Sequence, residues 1–294
     1  MKKYLLLFIS ASLAFTSCYK EDSIHAELGE PRYTIEDSSD PLDHARYVTF
    51  QNTGIYVLYD YEEVDYKWNI NSSTLSSNRL VLQEDRGVLT KSMTYLDRVL
   101  FDYYSDSFAK QYFPLKILLA DTVANTSIPA LDDRLCASGR SYLAIGQLHV
   151  DGMPSTADEL NVAKGVVNGE LWGSIFYGHD LIVIPDSFFA FSEEYYGADF
   201  NAMPEKDDPA TLYKLGFWSY NEASVSSSDY PAPDRAADVN DFVERITSHT
   251  AAEMEELMAK YSLLQQKYTI LVNAIKENYG IDLQAIGENK PAAL

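Results

Sequence analysis

The chain has 294 residues, of which 46% are hydrophobic, a proportion typical of a globular protein and too high for a disordered one. Asp and Glu number 44 against 23 Lys and Arg, so the net charge is −21 at pH 7. This charge excludes a nucleic-acid partner, because phosphate backbones are bound mainly through Lys and Arg. It also disfavours adhesion to anionic lipid headgroups. The length allows one large domain or two small ones.

The first 17 residues have the pattern of a signal peptide. Lys2 and Lys3 precede an apolar run that ends at Phe15, and two small residues then lead to Cys18. A cysteine at this boundary resembles the lipidation site of bacterial lipoproteins, so we expect a lipid anchor at Cys18. An ordinary cleaved signal with an incidental cysteine is the alternative interpretation.

The domain organisation follows from this boundary. We expect residues 1–17 to be a lipoprotein signal peptide, residues 18–42 a lipidated polar tether, and residues 43–294 a single domain. The acidic start of the tether resembles the surface-export signal of some didermic bacteria. With Cys18 acylated, Cys136 has no disulfide partner and is expected to be a small buried thiol.

Strands and short helices are predicted in the first half of the chain. β-branched and aromatic runs predict strands at 55–59, 115–120 and 141–145. Apolar residues near helical spacing predict a helix at 87–104, and a short helix is expected at 43–51.

The second half is predicted to be helical. Thr156 and Glu159 form a capping-box pattern that opens a helix, which we expect to end near Gly178. A similar pattern at Thr250 opens the C-terminal helices, and Gly280 ends the last apolar stripe. Residues between 193 and 237 are rich in turn formers. Because strands come early and helices late, the order favours an α+β fold over a parallel α/β sheet.

The central predicted helix contains the segment Asn-Gly-Glu-Leu-Trp-Gly-Ser at 168–174. A zinc peptidase helix has His-Glu-x-x-His, in which two His bind zinc and the Glu acts on the metal-bound water. Here Gly169 and Gly173 stand at the two His positions, and Glu170 stands at the position of the base. Spacing alone has little weight, because a single Glu on a helix is usually a solvated side chain.

The context for this helix is a set of segments that occur in a particular order. They are Tyr-Val-Thr-Phe at 47–50, Gly-Ile-Tyr-Val-Leu-Tyr at 54–59, Trp68, Phe-Pro-Leu-Lys-Ile-Leu-Leu at 113–119, Gly-Phe-Trp-Ser-Tyr at 216–220, Asn-Asp-Phe-Val-Glu at 240–244 and Tyr-Gly-Ile-Asp-Leu at 279–283. In this order, from Asp43 to Ile286, the chain resembles the substrate import-associated zinc-binding metallopeptidase lipoproteins. These proteins are encoded beside TonB-dependent nutrient importers in polysaccharide-utilising bacteria.

The resemblance implies a zincin-like α+β fold and assigns site residues. It implies that Asn240 stands at the third zinc-ligand position. It also implies that Glu244 stands at a position that contacts the ligand side chains without binding the zinc itself. The ligand positions therefore read Gly169, Gly173 and Asn240. Catalytic zinc normally needs three protein ligands and a water. Since glycine has no side chain and asparagine is a weak zinc ligand, we expect the zinc site to be lost and no cofactor to bind, although Glu170 and Glu244 persist.

An active metallopeptidase with an unorthodox zinc site around Glu170 is the alternative. Its metal would have to be held by histidines such as His149, His179 or His249, none of which forms a pair at the i, i+4 spacing of zinc ligands. Each of these histidines is more simply interpreted as a surface residue or a hydrogen-bonded core residue.

Three glycines in the central helix recur every four residues and share one face: Gly165, Gly169 and Gly173. Each costs roughly 1 kcal/mol relative to Ala in a helix interior. Three on one face therefore predict that another element packs closely there and fills part of the former metal cleft. The aromatic run at 188–191 is the predicted occupant, and a merely frayed helix is the alternative.

The sequence, with this resemblance, predicts an outer-membrane, surface-exposed lipoprotein that is catalytically inactive. Its expected partners are a TonB-dependent importer, the importer's substrate-binding lipoprotein, a glycan or peptide ligand, and the membrane through the lipid anchor. Trp68, Trp172 and Trp218 are either ligand contacts or core residues. A purely structural accessory role in the importer complex is a further alternative.

Overall fold

The structure, a computed structural model, describes residues 32–67, 78–125, 133–200, 205, 208–220 and 231–294. Contacts divide the chain into a unit at Met1–Thr34 and a larger unit at Ile35–Leu294, which contains the elements below. The predicted signal peptide, Cys18 and Trp68 lie outside the described residues.

A mixed five-stranded sheet forms in the first half of the larger unit. Strands β1, β3 and β5 are parallel, while β4 pairs antiparallel with β5 and β2 pairs antiparallel with β3. The central residues of β3, from Ile117 to Ala120, are fully buried, as is usual for a strand covered on both faces. The strands are β1 Tyr56–Leu58, β2 Asn78–Leu82, β3 Lys116–Asn125, β4 Cys136–Gly139 and β5 Tyr142–Ile145.

In the described part of the first half, four helices accompany this sheet, and two of them confirm the predicted helices with shifted ends. The helix expected at 43–51 is longer, because Asp40 caps it and Gly54, at φ +75°, ends it. The helix expected at 87–104 ends earlier, since Leu100 leaves helical geometry and a single 3₁₀ turn follows. The helices are α1 Pro41–Thr53, α2 Glu63–Lys67, α3 Arg86–Val99 and α4 Asp106–Tyr112, with the 3₁₀ turn at Phe101–Tyr103.

The central helix begins as predicted but is not regular throughout. Helix α5, Ala157–Gly169, opens with the expected capping box of Thr156 and Glu159. At Glu170 the helix widens into a π-helical segment, Glu170–Tyr177, which ends at Gly178. In keeping with π geometry, the Gly178 N–H donates to the Gly173 carbonyl five residues back, at 2.9 Å. The predicted end is therefore confirmed, whereas the π segment was not predicted.

The remaining helices form the C-terminal part. The capping box at Thr250 is confirmed, and Gly280, at φ +71°, ends the long helix as predicted. Helix α8 was not predicted and proves central to the site. The helices are α6 Asp186–Phe189, α7 Pro209–Lys214, α8 Arg235–Ser248, α9 Ala251–Met258, α10 Ser262–Tyr279 and α11 Leu283–Glu288, with a 3₁₀ turn at Glu193–Tyr195.

One hydrophobic core joins the sheet to the helices. Helix α5 packs against α8 and α3, and the π segment packs against α8 and β4. The architecture is therefore mixed α+β, as predicted, although the centre of the sheet is parallel. Within the described ranges, no helix has the length and apolar character needed to cross a membrane.

Candidate functional site

The glycine face of the central helix is covered by helix α8. Gly165, Gly169 and Gly173 are all buried, and all three meet α8. A Cβ atom at Gly169 would lie 2.5 Å from Asn240 Oδ1 and 2.9 Å from the Asn240 carbonyl oxygen. A Cβ atom at Gly173 would lie 2.6 Å from the Ala236 carbonyl oxygen. The two backbones are therefore so close that even alanine is too large at either position.

The prediction of close packing on this face is confirmed, but the predicted occupant is wrong. The aromatic run at 188–191 lies elsewhere, with the Phe188 ring against Phe242 of α8 at a centroid distance of 5.2 Å. Aromatic rings are too wide for a face where Cβ atoms do not fit. Helix α8 fits because it places small groups and backbone there, from Ala236, Asn240 and Ser248.

A cavity of about 660 Å³ opens beside this crossing of helices. Its size is within the range of small-molecule sites. The structure brings Glu170, Asn240 and Glu244 together in its wall, although they come from two helices far apart in sequence. The other lining residues are Arg134, Leu135, Cys136, Val166, Ser174, Trp218, Ser219, Tyr220, Asp234, Ala236, Ala237, Asp241 and Arg245.

The Glu170 carboxylate is held in a fixed orientation. Its Oε2 atom accepts hydrogen bonds from the Ser174 hydroxyl at 3.0 Å and from Asn240 Nδ2 at 3.2 Å. Since Ser174 is one turn further along the same helix and Asn240 is on α8, the crossing itself orients the carboxylate. Asn240 therefore acts here as a hydrogen-bond donor to Glu170.

Asp241 is a site residue that the sequence reasoning missed. It lines the cavity and accepts a hydrogen bond from the Ser219 hydroxyl. Burial raises the pKa of Asp241 to about 8, an effect that the Ser219 hydrogen bond opposes and the nearby charge of Glu244 reinforces. The carboxyl is therefore largely neutral at pH 7. Its position three residues before Glu244, on the same face of a helix, was the available signal.

The Cys136 thiol also lines the cavity but is not activated. Burial raises its pKa well above the usual value, and the negative charges of Glu170 and Glu244 add to the effect, against the opposing charge of Arg134. A thiol in these surroundings stays protonated, so it is neither a nucleophile nor a ready metal ligand. The expectation of a small buried thiol is confirmed.

The four histidines within the described residues do not rebuild a metal site at this cavity. Of His44, His149, His179 and His249, none lines the cavity. The His149 ring bridges Asp121 and Asp133, at 3.2 and 3.0 Å. The His249 Nδ1 atom lies 2.9 Å from the Arg245 carbonyl oxygen.

The residues of the cavity do not fit a catalytic zinc ion. Among the residues that the structure describes, no group of three His, Cys, Asp or Glu side chains could hold a metal. Asn240 uses its amide on Glu170, and the space that side chains at positions 169 and 173 would need is filled by α8. We therefore derive no chemical step through a metal at this site.

The two described tryptophans both belong to the core. Trp172 is fully buried and donates its indole N–H to the Tyr104 hydroxyl at 2.8 Å. Trp218 is only 3% exposed, although its edge contributes to the cavity wall. Trp172 is therefore a core residue and not a ligand contact.

No family model matches this sequence, and no curated protein matches it. The chain is similar to a crystal structure from Bacteroides caccae described as a "putative zinc-binding metallo-peptidase". The TM-score is 0.58 at 14% sequence identity, and the match covers 87% of this chain and 93% of the other. At this level of identity the likeness shows a shared fold. The chain therefore has a metallopeptidase-like fold of mixed α+β type.

Proposed function

We propose that this chain is a non-catalytic protein with a metallopeptidase-like fold, which uses the cavity beside Glu170 for binding. The observation that carries the proposal is the packing of α8 on Gly169 and Gly173. Hydrolysis by a zinc enzyme needs ligands that hold the zinc ion, because the zinc ion acidifies its bound water. A glutamate without a metal does not supply that acidity. The cavity and the oriented Glu170 carboxylate remain as features suited to recognition.

We further propose that the protein is a lipid-anchored, outer-membrane lipoprotein that presents this cavity at the cell surface. The support is the N-terminal sequence pattern and the family resemblance. In this role it captures a glycan or peptide for a TonB-dependent importer and its substrate-binding lipoprotein. Replacing Cys18 with Ser is expected to abolish incorporation of labelled palmitate and to release the protein from the membrane fraction. Unchanged labelling would contradict the anchor.

The decisive experiment measures zinc in the chain from residue 19 onward, after equilibration with zinc and removal of the excess. We expect a zinc content near zero and no hydrolysis of peptide substrates. Stoichiometric zinc that is lost in the Glu170→Gln variant would instead support an active metallopeptidase with an unorthodox site around Glu170.

A revertant tests whether the zinc site is only missing its ligands or is also closed. We expect the Gly169→His/Gly173→His/Asn240→Glu variant to remain free of zinc and to unfold at lower denaturant concentration, because α8 fills the space of both imidazoles. The matched control is Asn240→Glu alone, which adds one ligand but no side chain at positions 169 and 173. A folded triple variant that binds zinc would show that α8 moves aside readily.

A further inference from the structure

The wall of the cavity carries ionisable groups of both signs, with the carboxyl groups in excess. They are Glu170, Asp234, Asp241 and Glu244 against Arg134 and Arg245. The Asp234 side chain is already used as the N-cap of α8, and Arg134 donates to Asn78. Glu170 and Glu244 come from different helices, so the carboxyl groups surround the cavity from more than one direction.

The Glu170 carboxylate has one oxygen in use and one available. Both of its hydrogen bonds, from Ser174 and Asn240, go to Oε2. The Oε1 atom accepts no hydrogen bond from any described residue, and it is not among the buried polar atoms left without a partner. An oriented and solvent-accessible acceptor is therefore present in the cavity, and carboxylate oxygens are suited to ligands rich in N–H donors.

Trp218 lies in the cavity wall but offers no stacking surface. Its ring contacts the guanidinium of Arg245 and the rings of Tyr213 and Phe242, at centroid distances of 5.2, 5.4 and 5.7 Å. With 3% exposure it offers no open face on which a sugar ring could stack. Its buried indole N–H has no acceptor in the part of the chain that the structure describes. The Arg245 guanidinium likewise makes no ion pair with a described carboxylate.

We propose that the cavity binds its ligand through a primary ammonium group held by Glu170 and Glu244, while acceptor oxygens of the same ligand face Arg245 and the Trp218 side of the wall. This inference rests on the proposed binding function and names the class of ligand. An ammonium group has three donors and matches two carboxylates, whereas a neutral glycan brings no charge opposite to theirs. The amino terminus of a peptide and an amino sugar share this chemistry.

Calorimetry with two pairs of small probes tests the proposal on the full folded chain. The amines are trialanine amide and glucosamine, and their controls are the N-acetylated forms, which keep the shape and lose the charge. We expect acetylation to weaken binding about tenfold or more, the value of one charged hydrogen bond. Binding of the amine is also expected to weaken as salt is added. Binding of only one amine would identify its source as peptide or amino sugar.

Two variants locate the contact. Glu170→Gln and Glu244→Gln keep the side-chain shape, and each is expected to weaken amine binding about tenfold while leaving any binding of the acetylated probe unchanged. Glu277→Gln, an exposed carboxylate on α10 outside the cavity, is the charge-matched control and is expected to bind normally. Thermal unfolding checks that each variant is folded. If one variant does not fold, the affinity of the other variant and the salt dependence of amine binding test the proposal.

Equal affinity for the amine and its acetylated form would overturn the ammonium assignment, as would no binding of either amine at millimolar concentration. Neither result affects the zinc measurement, so failure of this inference is distinguishable from failure of the proposed non-catalytic function.

Discussion

At the scale of single residues, the Lys267 side chain is fully buried and closely surrounded. Its Nζ atom donates to Asp238 Oδ2 at 2.6 Å and to the Gly216 carbonyl oxygen at 2.9 Å. The rings of Phe188, Phe217 and Phe242 surround it, with centroids 4.6 to 5.0 Å away. Burial lowers the pKa of Lys267 and raises that of Asp238, so the pair depends on these contacts to stay charged.

Removing this ammonium group is expected to be costly. Lys267→Met leaves Asp238 buried without its cationic partner, with the Tyr196 hydroxyl still donating to it, and we expect it to lower the free energy of unfolding by about 3 to 5 kcal/mol. Lys276→Met is the control, because it breaks an exposed ion pair with Asp282 and should cost less than about 1 kcal/mol. Urea unfolding measures both. Equal, small losses would show that Asp238 is satisfied without Lys267.

The glycine face gives a second prediction at the residue scale. Gly173→Ala is expected to lower the free energy of unfolding by about 1 to 3 kcal/mol, since the added methyl meets the α8 backbone. Gly87→Ala, at an exposed position in the first turn of α3, meets only the end of the Asp85 side chain. It should therefore be neutral or stabilising by up to about 1 kcal/mol. If both variants were stabilised, the π segment and α8 would not be in close contact in solution.

At the scale of elements, His149 connects the middle of strand β3 to the segment that precedes β4. Its ring contacts Asp121 of β3 on one side and Asp133 on the other. The hydrogen bond with Asp133 raises the pKa of His149; burial opposes this effect, and the hydrogen bond with Asp121 adds to it. The folded state therefore binds this proton more tightly than the unfolded chain does.

The stabilisation that His149 provides therefore decreases as pH rises. The stabilisation by protonated His149 is fully present below the unfolded pKa of about 6.5, and it is lost as pH rises through the higher folded value. We expect the difference in melting temperature between the native protein and His149→Asn to shrink as pH rises from about 5 to about 9. His44→Asn, which removes an exposed contact with Asp37, is the control. A difference independent of pH would mean that the imidazole acts only through packing.

The sequence was most informative where structure is set locally. The capping residues Thr156 and Thr250 and the terminator Gly280 were all predicted, because each acts within one turn of its own helix. Helix α8 was missed, since it follows a segment rich in proline and turn formers. The π segment was missed as well, because its i, i+5 hydrogen bonds leave little trace in the apolar pattern.

Much of the site could not be predicted from local sequence patterns. Spacing suggested only that Glu170 stands at the position of a catalytic base. Its proximity to Asn240 and Glu244 followed from the family resemblance, and the structure places all three in one cavity wall. The burial of Lys164 and Lys267 was not predicted, since their acceptors, such as the Ile286 carbonyl oxygen, lie far away in sequence.

At the scale of the whole molecule, cohesion comes from one core that includes both the sheet and the C-terminal helices. We expect a chelator such as EDTA to leave the melting temperature unchanged, because a metal contributes to stability only where a site binds it. Calorimetric scans with and without EDTA check this, and a magnesium-saturated EDTA sample controls for effects of the chelator itself. A marked decrease with EDTA alone would reveal a metal site outside the residues described.

The contact between the glycine face and α8 also limits how this chain can change by mutation. Each histidine introduced alone at position 169 or 173 would meet the α8 backbone before any metal could compensate for the strain. Single substitutions that lead toward a zinc enzyme therefore pass first through less stable proteins without activity. Substitutions of cavity-wall residues away from the glycine face do not force a side chain against the α8 backbone in this way. The accessible evolutionary routes lead toward new ligands for the cavity and away from recovery of hydrolysis.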